Sequence, residues 1–163
     1  MEWTIKKNPF KEEYDAISKA VAENDGYCCC AIEHTPDVIC PCVPFRMRDS
    51  SGPCECGRYY KIKNYPILTI CGSSRFKDRM EEIARTATRE GYMVLMPHLY
   101  GHKGDKVDDI KDMLDDLHKA KIEKADLIYV VNPDGYVGES TAAEIEWARY
   151  LRKTIVSDEP LKD

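Results

Sequence analysis

The sequence predicts an α/β protein in two parts, a small Cys-rich helical and loop module followed by a parallel-sheet α/β domain. Two observations carry this. Seven of the eight cysteines fall between positions 28 and 56, in a stretch too rich in Gly and Pro to build a core from apolar side chains. From Pro66 to Val156, short β-branched runs alternate with long charged stretches, and only Cys71 is a cysteine. At 163 residues the chain has room for two small domains, which we place at residues 1–63 and 64–163.

In the first part, Asn8 followed by Pro9 predicts an N-cap and a first helical residue. Phe10 to Asn24 then carries apolar residues near helical spacing, and Gly26 ends the run. From Tyr27 to Tyr60, Pro36, Pro41, Pro44, Gly52, Pro53 and Gly57 break any regular element. Short turns wrapped around the thiols are expected there.

In the second part, strands are predicted at 67–71, 92–96, 127–132 and 154–156, and helices at 76–90, 107–124 and 141–151. This alternation implies right-handed crossovers and a Rossmann-like parallel sheet. Ligands in such folds sit at the carboxyl ends of the strands. Three turns qualify: Gly72 to Arg75, Pro97 to His102, and Pro133 to Thr141.

The net charge of −5 and pI near 5.5 argue against general nucleic-acid binding, which usually needs a basic face. After Met1 to Lys7, the apolar segment of a signal is replaced by Pro9, Lys11, Glu12 and Glu13. The longest apolar runs, such as Leu127 to Val131, are far shorter than a membrane span. A cytoplasmic protein without membrane association is therefore expected. In a reducing compartment, dense thiols point to a metal or redox site rather than to structural disulfides.

The thiols form three Cys-x-Cys pairs, Cys28/Cys30, Cys40/Cys42 and Cys54/Cys56, with Cys29 inside the first. Zinc sites usually space their pairs by two to four residues, and six thiols exceed the four that one zinc or one iron–sulfur cluster needs. The runs Gly26-Tyr27-Cys28-Cys29-Cys30, Cys40-Pro41-Cys42 and Gly52-Pro53-Cys54-Glu55-Cys56-Gly57 resemble the catalytic subunit of ferredoxin:thioredoxin reductase. The resemblance implies an Fe–S module over about the first 60 residues. Cys28, Cys40, Cys42 and Cys54 would hold a [4Fe–4S] cluster, and Cys30 with Cys56 would form a catalytic redox pair. It also implies a ferredoxin-like electron donor and a disulfide substrate. Zinc is the alternative metal.

In the α/β half, Cys71-Gly72-Ser73-Ser74-Arg75 joins a strand to a helix, so backbone N–H groups and Arg75 form a natural anion site. Together with Asp126 and the run from Asn132 through Gly138, Ser140 and Thr141 to Glu144, the segment resembles the nucleoside 2-deoxyribosyltransferase superfamily over about residues 66–156. By that resemblance, Gly72, Ser73 and Arg75 bind a sugar or its phosphate, and Glu144 attacks the anomeric carbon. Tyr100, in the loop at the expected ligand end, reads as a ring to stack on a base or as part of an ordinary exposed connection, and Asp126, Asn132, Gly138, Ser140 and Thr141 complete the expected substrate-binding set. His118 stands where those enzymes usually place an aspartate, and reads equally as a proton donor or as an ordinary exposed helix residue.

The combined expectation is a disulfide reductase-like module joined to a nucleoside- or nucleotide-binding domain that cleaves or transfers at the N-glycosidic bond. The alternative is a non-enzymatic redox and nucleotide sensor with a structural Fe–S or zinc site. The uncovered edges of a four-strand sheet add the expectation of a homo-oligomer.

Overall fold

The computed structural model of the protein describes residues 3–98 and 110–161. The chain divides into two compact units, Met1–Asn64 and Tyr65–Asp163.

Unit 1 holds more regular structure than its sequence suggests. Strand β1 (Trp3–Lys7) precedes helix α1 (Lys11–Glu23), a short helix α2 (Val43–Met47) lies inside the thiol-bearing segment, and strands β2 (Gly52–Pro53) and β3 (Tyr59–Lys63) follow. They form an antiparallel sheet in the order β1-β3-β2. Lys61, on β3, is buried because its ammonium donates to the carbonyls of Arg46 and Arg48, both at 2.6 Å, and lies 4.8 Å from the Trp3 ring centroid. Those contacts fix the end of α2 to the sheet. The expectation that Pro9 opens the first helix is corrected. Asn8 Oδ1 instead accepts the Phe10 N–H at 2.9 Å, an Asx turn one step before α1.

Unit 2 is the expected parallel sheet. Strands β4 (Ile67–Gly72), β5 (Met93–Leu95), β6 (Leu127–Val131) and β7 (Thr154–Ser157) lie in the order β5-β4-β6-β7, all parallel. Helices α3 (Lys77–Arg89), α4 (Lys111–Lys124) and α5 (Glu139–Tyr150) connect them. Strand alternation divides the core into two layers. Cys71, Ile128 and Val130 pack with Ile122 of α4 and with Ile145 and Ala148 of α5. Leu68, Ile70, Val131 and Tyr129 pack with Met80 and Ala87 of α3. The sheet thus carries α4 and α5 on one face and α3 on the other.

The strand order reverses at β4, since β5 lies on one side of it and β6 on the other. The crevice above the carboxyl ends of β4 and β6 is the position where such sheets bind ligands. Among the described residues, no helix is long and apolar enough to cross a membrane.

Candidate functional site

A cavity of about 370 Å³ opens at that crevice. Each wall follows from local sequence. On α4, Lys111, Asp115 and His118 recur at helical spacing, and Ile122 continues the same face into the core. On α5, Thr141 and Glu144 stand one turn before Ile145 and Ala148 in the buried stripe. Both helices therefore begin their core-facing stripes with polar residues, and these residues meet over the end of β4.

Gly72 makes the approach possible. It has φ +148°, and a Cβ there would lie 2.7 Å from the Val131 carbonyl oxygen and 3.0 Å from Met80 Cε. The first turn of α5 adds N–H groups that have no intrahelical acceptor, and its N-cap, Gly138, supplies no side-chain cap.

Under the cavity lies a three-residue cluster, in which His118 and Glu144 line the space and Cys71 is buried behind them. Cys71 Sγ and Glu144 Oε1 each lie 3.6 Å from His118 Nε2, and the ligand-type atoms of the three residues all fall within 4.8 Å of one another. His118 is 4% exposed and Cys71 is fully buried. Burial, and then the Asp115 charge, push the Glu144 carboxyl up to about 8, against the Cys71 thiol and the Gly72 N–H, which favour the carboxylate. Burial lowers His118 to about 4, helped by Lys121 and His98 and opposed by the Ile70 carbonyl. Burial and the Glu144 charge hold the Cys71 thiol well above its ordinary range. At neutral pH the metal-free cluster is a carboxylic acid, a neutral imidazole and a thiol, so the His118–Glu144 contact is not an ion pair. Glu144 Oε2 and His118 Nδ1 are buried with no hydrogen-bond partner among the described residues.

These shifts make unit 2 sensitive to pH. A raised carboxyl contributes stability that is lost as pH climbs through its folded value of about 8, and a lowered imidazole contributes stability that is lost as pH falls toward about 4. Between roughly pH 6.5 and 8 the His118 contribution is flat, because its unfolded value near 6.5 has been passed. In chelator, unfolding followed by Trp147 fluorescence in a Trp3→Phe background is expected to lose up to ~1.4 kcal/mol per pH unit across that window. Glu144→Gln is expected to flatten the slope; an unchanged slope would remove Glu144 as its source.

The residues singled out from sequence separate into two groups. Gly72, Ser73, Gly138, Ser140, Thr141 and Glu144 line the cavity. Three others turn elsewhere. Asp126 Oδ2 accepts the Ile67 N–H at 2.7 Å, at the opposite ends of the strands. Asn132 is fully buried, and its amide is engaged both ways by the Glu159 backbone. The Arg75 guanidinium lies 4.1 Å from the Tyr136 ring centroid. Tyr100 falls outside the described residues. His118, weighed above as an exposed helix residue, is instead a core-facing wall. Its position four residues before Ile122 was the available signal. Cys71 gave none, because a lone cysteine ending a β-branched strand reads as core.

In unit 1, Cys28, Cys30, Cys40, Cys42, Cys54 and Cys56 line a second cavity, of about 320 Å³. All eight cysteines of the chain are free thiols. The sulfurs of Cys28, Cys30 and Cys56 lie within 4.8 Å of one another, and Cys54 and Cys56 are 3.5 Å apart. The Arg58 guanidinium donates to Cys40 Sγ and the Tyr59 N–H to Cys54 Sγ, each at 3.3 Å. Cys29 is exposed.

A family model described as the dienelactone hydrolase family matches residues 67–157, from the first residue of β4 to the last of β7 and more than half of the chain. No curated protein matches the chain. The family match corrects both resemblances drawn from the sequence, to ferredoxin:thioredoxin reductase and to the nucleoside 2-deoxyribosyltransferases. It also corrects the disulfide-reductase, glycosidic-bond and sensor functions built on them. In unit 2, Asp126 and Asn132 are occupied by backbone contacts away from Glu144.

Proposed function

The chain belongs to the dienelactone hydrolase family, and on that premise we propose that unit 2 hydrolyses the ester bond of a small lactone in the cavity above β4 and β6. One observation supports the location most directly: His118 and Glu144, which line that cavity, stand against the buried Cys71 and so bring an imidazole, a carboxyl and a thiol together. A lactone is a cyclic ester. Water adds to its carbonyl carbon, the ring C–O bond breaks, and a hydroxy acid leaves. The attacking water must give up one proton and the departing ring oxygen must gain one, and the His118–Glu144 pair holds and returns that proton. Negative charge develops on the carbonyl oxygen, which the N–H groups of the first turn of α5 and the dipole of that helix stabilise. Cys71 lies buried behind the pair, and its sulfur completes the three-residue cluster. Proton release from a panel of small lactones tests this. Turnover by the wild type that falls in Glu144→Gln supports it, and a rate equal to buffer for every lactone sinks it.

The thiol cavity of unit 1 favours a second, separate role. Six thiols facing one space, two of them accepting N–H donors, fit a soft metal held as thiolates. We infer a metal centre there, with ligands drawn from these six thiols, of which Cys28, Cys30 and Cys56 already lie within 4.8 Å of one another, and with zinc or an iron–sulfur cluster as its content. Metal and sulfide analysis of protein purified without oxygen distinguishes the two. Iron with sulfide marks the cluster and zinc alone a mononuclear site, while a chain that binds neither ends the inference.

A further inference from the structure

We propose that the Cys71–His118–Glu144 centre holds a divalent zinc-class ion, with the fourth coordination position open to the cavity. The proposal rests on the hydrolase reading for its role and on side-chain geometry for its existence. His118 Nε2 stands 3.6 Å from Cys71 Sγ and 3.6 Å from Glu144 Oε1. The second distance is too long for a hydrogen bond. A single ring nitrogen also offers either one N–H or one lone pair, and neither can serve both neighbours at once. An ion between the three atoms removes the conflict. Tetrahedral zinc binds sulfur at about 2.3 Å and nitrogen or oxygen at about 2.0–2.2 Å, which places its ligand atoms ~3.3–3.6 Å from one another.

The donor set agrees with the geometry. A thiolate, an imidazole and a carboxylate are zinc ligands, and together they supply two negative charges to offset the ion's two positive ones. The three come from separate elements, β4, α4 and α5, so the folded sheet and helices create the set and no local loop does. Three protein ligands with one open position distinguish a catalytic zinc site from a closed structural one. Here the open side faces Ser73, Gly138 and Thr141 across the cavity. Buried Glu144 Oε2 has no partner among the described residues and gives the carboxylate a second oxygen to share with the ion. With the ion bound, His118 and Glu144 would serve as its ligands, and the ion would take over from the pair the activation of the attacking water and polarise the lactone carbonyl, the water's proton leaving to solvent through the cavity.

The test counts zinc per full-length chain in the wild type, His118→Gln, Cys71→Ala and Glu144→Gln, and measures lactone hydrolysis before chelation, after it, and after zinc or cobalt(II) is returned. The wild type is expected to bind one zinc more than each variant, and to show a cobalt–thiolate absorption band that Cys71→Ala diminishes. Chelation is expected to remove hydrolysis and returned metal to restore it. Equal zinc in the wild type and in all three variants overturns the site. Hydrolysis that survives complete chelation overturns its catalytic role and leaves the hydrolase reading standing. Zinc bound at the site with no lactone turned over upholds the site and overturns the hydrolase reading. Should one variant fail to fold, the zinc counts of the remaining two still decide.

Discussion

Glu144→Gln is expected to lower lactone hydrolysis by at least about 100-fold while leaving unit 2 folded. The size follows from its proposed role, since removing a proton-handling or metal-binding carboxylate typically costs 10²–10⁴-fold. The fold is expected to survive because the metal-free carboxyl is already neutral at pH 7, held up to about 8 by burial. The amide keeps its shape and adds no charge to a buried site. Circular dichroism and the cooperativity of thermal unfolding check the folding half, and kcat/KM checks the other. A variant that is folded and as active as the wild type would place the chemistry elsewhere in the cavity.

Gly72→Ala is expected to cost more in structure than any change on the cavity rim. A methyl group there would meet the Val131 carbonyl at 2.7 Å, a backbone atom that can retreat only if β4 and β6 separate. The backbone also sits at φ +148°, a region L-residues rarely adopt. Overpacking and backbone strain together are expected to destabilise unit 2 by ~3 kcal/mol. The same shift would widen the spacing between Cys71 and His118, so bound metal and activity are expected to fall together. Urea unfolding of unit 2 measures the first effect. An unfolding midpoint within error of the wild type would mean that the β4–β6 contact is not rigid.

Much of unit 2 was legible in the sequence because its signals are periodic. Ile67 to Cys71 and Leu127 to Val131 are β-branched runs buried on both faces, and parallel strands read that way. The helices between them carry stripes that point to the core. Unit 1 was harder to read. Lys61 is buried through contacts to two carbonyls and a tryptophan ring, so a residue that normally marks the surface lies inside. α2 is five residues long with Pro44 in its first turn, where proline is tolerated although it reads as a breaker.

The candidate site was half legible for a related reason. Gly72 ends β4, and Ser140, Thr141 and Glu144 lie in the first half of α5 behind a Gly-rich turn, where composition already hints at ligands. His118 and Cys71 become informative only when α4 is laid against β4, 47 residues away in the chain. Pattern also suggested the wrong chemistry. A Gly-Ser-x-Arg turn is compatible with more than one family, and the match over residues 67–157 covers that turn.

The most direct measurement is proton release from a small lactone by zinc-loaded wild type and by Glu144→Gln at equal concentration. The expected result is one proton per lactone opened by the wild type, with the variant close to the buffer rate. Wild type no faster than buffer, on protein shown to be folded and metal-loaded, would contradict the assignment of this cavity to lactone hydrolysis.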